Sequence, residues 1–267
     1  MRRLIRFACG NSQVSGSLDA GARSVGLLCV TGGSQVRTGP HRMLHRLAAS
    51  VSNAGFPVFR YERRGLGDSE GDDPGYRDSG PDLLAAASAF RAQAPHLRTL
   101  LGFGLCDGAT TLALHGREAG VAGLVLANPW LVETEPDDLA PAAARVHYRN
   151  RLLSPRAWAS VVRGKVDLLG AARSLVGALT KSGESSLADE IAEALQPYAG
   201  RLSLLLSTGD GTAIAARACW NGAAFAGLRG DPVVMVPTSS HSFAREGDFA
   251  PVAKTVIDFM GKIEDAA

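Results

Sequence analysis

Gly104-Leu105-Cys106-Asp107-Gly108 lies between two segments of opposite character, a strand-like run over 97–103 and a helix-like run over 109–117. Two glycines around a central cysteine are typical of a sharp strand-to-helix turn, because small residues tolerate strained backbone and close neighbours. Such a turn presents its central side chain at the N-terminus of the next helix, where the helix dipole favours a developing thiolate. The stretch therefore predicts Cys106 as a nucleophile.

Strand-like and helix-like segments alternate on both sides of this turn. The strand-like segments are continuous apolar runs, as expected for strands buried on both faces. We therefore predict an α/β domain with a mostly parallel central sheet, helices on both faces and an antiparallel hairpin over 3–19. The predicted strands are 25–30, 56–61, 97–103, 121–127, 202–207 and 233–236, and the predicted helices are 40–55, 81–94, 109–117, 212–228 and 249–263.

The alternation stops after Trp130, and residues 136–197 show helical spacing only. The helical segments are 142–153, 157–179 and 187–195, with a linker over 181–185. This insertion follows the C-terminal end of a strand, which is where open α/β sheets bind ligands. We interpret 134–200 as a helical cap or lid within one domain spanning 1–267; a helical decoration without a gating role is the alternative.

Composition excludes several classes of function. The net charge is +2 and the arginines are scattered, which argues against nucleic acid as a partner. No apolar run approaches the roughly 20 residues of a membrane span, and the N-terminus lacks the apolar region of a signal peptide. The four cysteines are widely spaced and form no zinc pattern, so we expect free thiols, a cytoplasmic protein and no metal or cofactor.

Together with the turn at 104–108, the segment Tyr61-Glu62-Arg63-Arg64-Gly65-Leu66-Gly67-Asp68-Ser69 resembles the α/β-hydrolase superfamily. The segment is similar to the D-x-R-G-x-G-x-S stretch of that superfamily, with Glu62 where aspartate is usual. The resemblance covers nearly the whole chain. It implies the α/β-hydrolase fold and a catalytic triad in the chain order nucleophile, acid, histidine.

A cysteine nucleophile needs a base, and the base needs an orienting partner. His241 follows the last predicted strand, where the α/β-hydrolase fold keeps its general base, so we expect it to be the catalytic histidine. Asp210 follows the strand 202–207 and is the expected acid, although an Asp-Gly sequence is also a common turn. Weaker candidates for the acid are Glu133, Asp231, Glu246 and Asp248.

The oxyanion hole is predicted to combine two backbone N–H groups, one from Asp107 and one from Gly33 in the loop after strand 25–30. Ser34 is the neighbouring candidate. The Asp107 side chain is as well suited to capping the helix as to contacting substrate, and it is given no role. Candidates for contacts to an anionic or sugar-bearing substrate are Ser34, Gln35, Arg37 and His41; solvation of the start of the next helix explains the last three equally well.

More narrowly, residues 32–42 and 104–107 resemble the type-1 group of exosortase-A-system-associated hydrolases, which are encoded alongside exopolysaccharide and protein-sorting genes. That resemblance implies a cysteine-centred hydrolase with Cys106, Asp210 and His241 as its triad. Dienelactone hydrolases share the cysteine elbow but lack a long helical insertion at this point.

Three functions remain open. The first is hydrolysis of a small-molecule acyl ester, lactone or thioester through an acyl-cysteine intermediate. The second is acyl transfer at the same site, with a sugar or lipid hydroxyl in place of water. The third is ligand binding without catalysis on the hydrolase fold.

Overall fold

A computed structural model of the chain describes residues 1–132 and 186–266. Within them, eight strands form one sheet, in the spatial order first, second, fourth, third, fifth, sixth, seventh, eighth. The first strand pairs antiparallel with the second and the second with the fourth, and all other neighbours are parallel, which confirms the predicted hairpin and mostly parallel sheet. The strands are β1 (Arg2–Cys9), β2 (Ser12–Asp19), β3 (Val25–Val30), β4 (Val58–Tyr61), β5 (Thr99–Leu105), β6 (Gly123–Ala127), β7 (Leu202–Ser207) and β8 (Val233–Val236).

Helices cover both faces of the sheet. The described α-helices are α1 (Met43–Asn53), α2 (Gly80–Gln93), α3 (Asp107–His115), α4 (Leu187–Leu195), α5 (Gly211–Trp220) and α6 (Phe249–Asp265), with 3-10 turns at Pro40–Arg42, Gln196–Tyr198 and Ala223–Leu228. Helices α1 and α6 bury their apolar residues in the core on one face, and α2, α3, α4 and α5 bury theirs on the other. Within the described residues, no helix is both long and apolar enough to cross a bilayer.

Several predicted boundaries differ from the structure, such as those of β4 and β6, which each begin two residues later than predicted; two further differences have a clear cause. The predicted helix 212–228 is interrupted, because Gly222 adopts an extended conformation (φ −75°, ψ 171°) between α5 and the turn Ala223–Leu228. The strand before the elbow runs to Leu105, two residues further than predicted, because Gly104 still pairs with Val30 and Leu105 with Ala127. Pairing with neighbouring strands, rather than local propensity, sets the end of β5.

The predicted lid helices 142–153 and 157–179 and the linker 181–185 lie outside the described residues. Helix α4, at the end of the predicted insertion, packs against α3 and the turn Ala223–Leu228. Its Leu187 and Ile191 side chains are buried in the core of that face. The lid itself stays a prediction.

The strand order brings the candidate residues to one edge of the sheet. Strand β3 has β4 on one side and β5 on the other, so the chain reverses its direction of travel across the sheet here. Ligand crevices of open α/β sheets form at such a point, outside the carboxyl ends of the strands. The loop after β3 and the elbow after β5 leave the sheet side by side at this edge, because Val30 pairs with Gly104.

Candidate active site

Cys106 occupies a strained turn between β5 and α3. Its backbone has φ 59° and ψ −128°, a conformation that costs a non-glycine residue on the order of 1–3 kcal/mol. Hydrogen bonds from Cys106 N to Ala127 O (3.0 Å) and from Trp130 N to Cys106 O (3.2 Å) hold the turn against the end of β6. Strain kept in place by such bonds is a feature of functional sites, and here it leaves the Cys106 side chain partly exposed.

The glycines of the elbow are required by close approach of backbone. A Cβ atom on Gly104 would lie 2.6 Å from Ala109 Cα, and one on Gly108 would lie 2.6 Å from Thr31 O. Gly32 of the adjacent loop is under the same restriction, since its Cβ would lie 2.4 Å from Leu105 O and 3.0 Å from Cys106 Cβ. The loop after β3 therefore lies directly against the turn that carries Cys106.

His241 and Asp210 meet across the loops that follow β8 and β7. The distance from His241 Nδ1 to Asp210 Oδ2 is 3.0 Å. Asp210 is the N-cap of α5, and its carboxylate also accepts a 2.9 Å hydrogen bond from Ala213 N–H. The two loops are joined by backbone bonds, one of them from Gly209 N to Thr238 O (2.9 Å). Asp210 is thus fixed at the start of a helix and binds one nitrogen of the imidazole.

The imidazole of His241 is also influenced by the Cys106 side chain. Hydrogen bonds with Asp210 and then with Cys106, opposed by burial, raise the pKa of His241 to about 10. Burial raises the pKa of Asp210, but hydrogen bonds from His241 and Ala213 N–H lower it more, so it lies below its usual value. Near neutral pH, these directions favour an imidazolium held between a carboxylate and the Cys106 sulfur.

Asn128 is a residue of this site that sequence reasoning did not identify. Its side chain is fully buried at the end of β6, and its amide nitrogen donates to His241 O (2.7 Å) and to Ser207 Oγ (3.0 Å). Its amide oxygen accepts from Ser207 N–H (2.8 Å). Ser207 Oγ in turn donates to Ser240 O (2.9 Å). The one sequence signal that could have identified Asn128 is its position, as a polar residue directly after a buried strand.

The predicted oxyanion donors lie beside the nucleophile, but one of them is engaged. Gly33 N–H donates to Asp107 Oδ1 over 2.5 Å. The Asp107 side chain does not cap α3, whose N-terminus has no side-chain cap, so the capping alternative for Asp107 is wrong. Gly33 has φ +56° and open space where a Cβ would stand, so its peptide faces an accessible region next to Cys106.

Arg37 is held in an ion-pair network below the same loop. Its guanidinium donates to Glu62 Oε2 (2.6 Å), Asp68 Oδ2 (2.8 Å) and Ser17 Oγ (3.1 Å). Glu62, only 2% exposed, also accepts from the backbone N–H groups of Arg37 and Asp68. The segment 61–69 therefore supports the loop after β3. The Arg37 guanidinium, predicted as a candidate substrate contact, is bonded to side chains of the protein itself. Ser34 and Gln35 are exposed and have no side-chain hydrogen bond within the described residues.

His41 lies apart from this network, at the start of α1. It lines a surface cleft of about 420 Å³ together with Arg42, His45, Arg46 and Phe249. His41 and Arg42 both have positive φ, 49° and 59°.

The other candidates for the acid have different surroundings. Asp231 accepts hydrogen bonds from Gly200 N–H and Leu202 N–H, at the opposite end of β7. Asp248 accepts from Thr238 Oγ1 (2.7 Å) and closes the loop that carries His241. Glu246 is exposed, and Glu133 lies outside the described residues. Among the described carboxylates, Asp210 is the one bonded to His241.

The remaining cysteines are less suited to chemistry. Burial raises the pKa of Cys29 to about 12. The pKa of Cys9 is raised by burial and by Asp82, and that of Cys219 by burial and by Asp189. Within residues 1–132 and 186–266, no group of three or more His, Cys, Asp or Glu side chains is placed to hold a metal ion.

Comparison with solved structures identifies proteins of the same architecture. The chain is similar to the esterase Pf2001 of Pyrococcus furiosus, with a TM-score of 0.69, 13% identity, and coverage of 98% of this chain and 91% of that one. It is similar to the α/β-hydrolase GrgF of Penicillium sp. sh18, with a TM-score of 0.65, 15% identity and 98% coverage of both chains. A dienelactone hydrolase of Anabaena variabilis has a TM-score of 0.62 and 15% identity, over 98% of this chain and 97% of that one.

No family model and no curated protein matches the sequence. At the identities of the solved structures, the likeness establishes the fold alone, which is that of the α/β-hydrolases.

Proposed function

We propose that this chain, which has the α/β-hydrolase fold, is an acyl hydrolase with Cys106 as nucleophile, His241 as acid and base, and Asp210 as the group that orients His241. The observation that carries the proposal is the 3.0 Å hydrogen bond between Asp210 and His241, together with the strained elbow that presents Cys106 and the contribution of Cys106 to the raised His241 pKa. Nucleophile, base and orienting acid within reach of one another are the signature of covalent acyl chemistry.

In the proposed acylation step, the Cys106 thiol gives its proton to His241 Nε2, and the sulfur attacks the carbonyl carbon of the substrate and forms a carbon–sulfur bond. The carbonyl electrons move onto oxygen, and the tetrahedral oxyanion accepts hydrogen bonds from the backbone N–H groups of Asp107 and Gly33. When the carbonyl re-forms, the leaving group departs with the proton held on His241 Nε2. Asp210 holds the protonated imidazole through Nδ1.

In the proposed deacylation step, His241 accepts a proton from water, and the resulting hydroxide attacks the acyl-cysteine. The thiolate of Cys106 leaves and the acid product is released. Because a thiolate is a better leaving group than an amine, attack on an amide reverts more readily than attack on an ester. Esters, lactones and thioesters are therefore the proposed substrates.

The names of similar structures support the same class of reaction. Pf2001 is described as an esterase, and another similar structure is a dienelactone hydrolase. The resemblance to exosortase-associated hydrolases suggests a substrate connected with exopolysaccharide or protein sorting. If a hydroxyl of such a substrate took the place of water, the product would be a transferred acyl group rather than a free acid.

The test is hydrolysis of a panel of neutral p-nitrophenyl esters, lactones and acyl thioesters by the wild type, Cys106→Ala and His241→Ala. Cys219→Ala is the matched control, because Cys219 is also partly exposed but lies in α5, away from the elbow. The proposal expects turnover in the wild type and Cys219→Ala, and losses of about 10²–10⁴-fold in His241→Ala. Turnover that survives Cys106→Ala would contradict it.

A further inference from the structure

We propose that the Asp107 carboxylate is an internal occupant of the oxyanion hole, which the carbonyl oxygen of a substrate must displace and which selects against negatively charged acyl groups. This inference rests on the proposed function, because it assigns a specificity role at the same site. It concerns the side chain of Asp107, whereas the mechanism above uses only the backbone N–H of that residue.

The first observation is that the carboxylate stands where an oxyanion would form. Asp107 Oδ1 accepts the Gly33 N–H over 2.5 Å, and a hydrogen bond to an ionised carboxylate is stronger than one between neutral groups. Gly33 is one of the two proposed oxyanion donors, and the backbone of Asp107 supplies the other. A carboxylate oxygen resembles a tetrahedral oxyanion in charge and in hydrogen-bonding capacity. The structure thus shows the donor already paired with a negative oxygen.

The second observation is that the carboxylate lies close to both the loop after β3 and the Cys106 side chain. A Cβ on Gly32 would lie 2.5 Å from Asp107 Oδ1 and 3.0 Å from Cys106 Cβ. The carboxylate is therefore in contact with the loop and within a few ångströms of the nucleophile. Asp107 also begins helix α3, whose dipole stabilises a negative charge at this end.

The third observation is that, among the described residues, no cation forms an ion pair with Asp107 at hydrogen-bond distance. Among the described residues, its one hydrogen bond is the uncharged Gly33 N–H. The nearby cations bond to other carboxylates: Arg63 to Asp73 through two hydrogen bonds, of 2.6 and 3.0 Å, and His241 to Asp210. Arg63 offsets the charge of Asp107 only in part, since Asp107 contributes to its raised pKa after the contributions of Asp73. Asp107 therefore adds negative charge beside the reacting sulfur.

The position and charge of the Asp107 carboxylate both affect which ligands can bind beside Cys106. A substrate carbonyl gains the Gly33 donor only when the carboxylate turns away, so the resting contact competes with substrate. An acyl group with its own negative charge near the carbonyl is repelled by the same carboxylate. Neutral acyl groups are therefore the preferred substrates.

The experiment compares the wild type with Asp107→Asn and Asp107→Ala. Asparagine keeps an oxygen that can accept the Gly33 N–H but removes the charge, whereas alanine removes both. The first readout is the ratio of Cys106 alkylation rates with anionic iodoacetate and neutral iodoacetamide, located by peptide mapping. The second is single-turnover acylation by p-nitrophenyl butyrate, with substrate affinity and acylation rate measured separately. Thermal unfolding verifies that the variants are folded.

The expected iodoacetate-to-iodoacetamide ratio rises at least about threefold in both variants, since both lose the charge. The acylation efficiency is expected to rise from wild type through Asp107→Asn to Asp107→Ala, by on the order of tenfold in the last, because Gly33 N–H is freed stepwise. An unchanged ratio, or acylation that falls in folded variants, would overturn the inference in favour of a purely structural contact.

The alkylation arm does not require acyl chemistry, so the two proposals can fail separately. A raised alkylation ratio without acylation of any form of the protein would refute the hydrolase proposal and still support the electrostatic role of Asp107. Acylation of all forms without a change in the alkylation ratio would support the hydrolase proposal and refute the electrostatic role of Asp107.

Discussion

The side-chain amide of Asn128 donates a 2.7 Å hydrogen bond to the backbone carbonyl of His241, 113 residues later in the chain. Asn128 is fully buried, has φ 41°, and also pairs with the backbone and side chain of Ser207. It therefore ties the loop that carries His241 to the ends of β6 and β7. The position of the imidazole depends on this contact as well as on Asp210.

Asn128→Asp tests that dependence with a nearly isosteric change. The carboxylate keeps an acceptor for Ser207 N–H but cannot donate to His241 O, so the loop loses one of its anchors. We expect acylation of Cys106 to slow by about 10–10²-fold through displacement of His241. Stopped-flow acylation measures the effect. A rate equal to that of the wild type would show that His241 is positioned without Asn128.

Asp210→Asn tests the electrostatic support of His241. The hydrogen bond with Asp210 is the largest cause of the raised His241 pKa of about 10, so the pKa should fall in the variant. The proposed acylation step needs the His241 imidazolium as its acid, and the imidazolium loses its proton as pH rises through this pKa. We therefore expect the alkaline limb of the acylation profile to move to lower pH, with a loss of about 10²–10⁴-fold in rate. An alkaline limb at the same pH as in the wild type would contradict the assignment of Asp210 as the partner of His241.

The raised pKa of His241 also makes the free energy of unfolding of the wild type depend on pH. Because the His241 pKa is higher in the folded than in the unfolded protein, its contribution to stability is full below the ordinary value of 6.5. That contribution is lost as pH rises through about 10. In Asp210→Asn the His241 pKa should be raised less, so urea unfolding should show a smaller loss of stability over the same pH range.

Arg37→Ala separates a structural role from substrate contact. The change leaves the buried Glu62 carboxylate without its cationic partner, and removing one member of a buried pair costs about 3–5 kcal/mol. Since Arg37 is 16% exposed rather than fully buried, we expect the lower end of this range. Urea unfolding should show the loss, whereas KM for a neutral ester should hardly change. A raised KM without a loss of stability would restore Arg37 as a substrate contact.

Thiol labelling should be selective. Burial raises the pKa of Cys29 to about 12, and the pKa values of Cys9 and Cys219 are also raised, so these thiols are poorly reactive near neutral pH. We expect the native protein to incorporate iodoacetamide first at Cys106, as measured by peptide mapping. Equal labelling of Cys219 and Cys106 would mean that Cys106 has no special activation.

Gly32→Ala should be damaging in spite of its small size. The added methyl group would lie 2.4 Å from Leu105 O, which is backbone and cannot move freely. We expect loss of activity together with a destabilisation of about 1–3 kcal/mol from overpacking. Gly261→Ala is the matched control, because Gly261 lies in α6 with nothing near its Cβ position. It should stabilise the helix by roughly 0.5–1 kcal/mol and leave activity unchanged.

The sequence predicts most of the sheet and the positions of the elbow, His241 and Asp210. The sheet and the elbow follow from local signals, which are continuous apolar strands and glycines at a sharp turn. The choice of His241 and Asp210 combines polar residues after strand ends with the chain order that the resemblance to α/β-hydrolases implies. It does not predict the Asn128 contact with His241 or the Gly33–Asp107 hydrogen bond, because both join residues distant in sequence. The partners of Arg37 are missed for a related reason: a loop arginine looks the same in sequence whether it faces a ligand or a buried carboxylate.

The most direct test of the central claim is intact-mass measurement after brief exposure to p-nitrophenyl acetate. It is applied to the wild type, Cys106→Ala, His241→Ala and the control Cys219→Ala. We predict one acetyl adduct in the wild type and Cys219→Ala, none in Cys106→Ala, and formation slower by about 10²–10⁴-fold in His241→Ala. No adduct in the folded wild type, or an adduct that persists in Cys106→Ala, would contradict the assignment of Cys106 as the nucleophile.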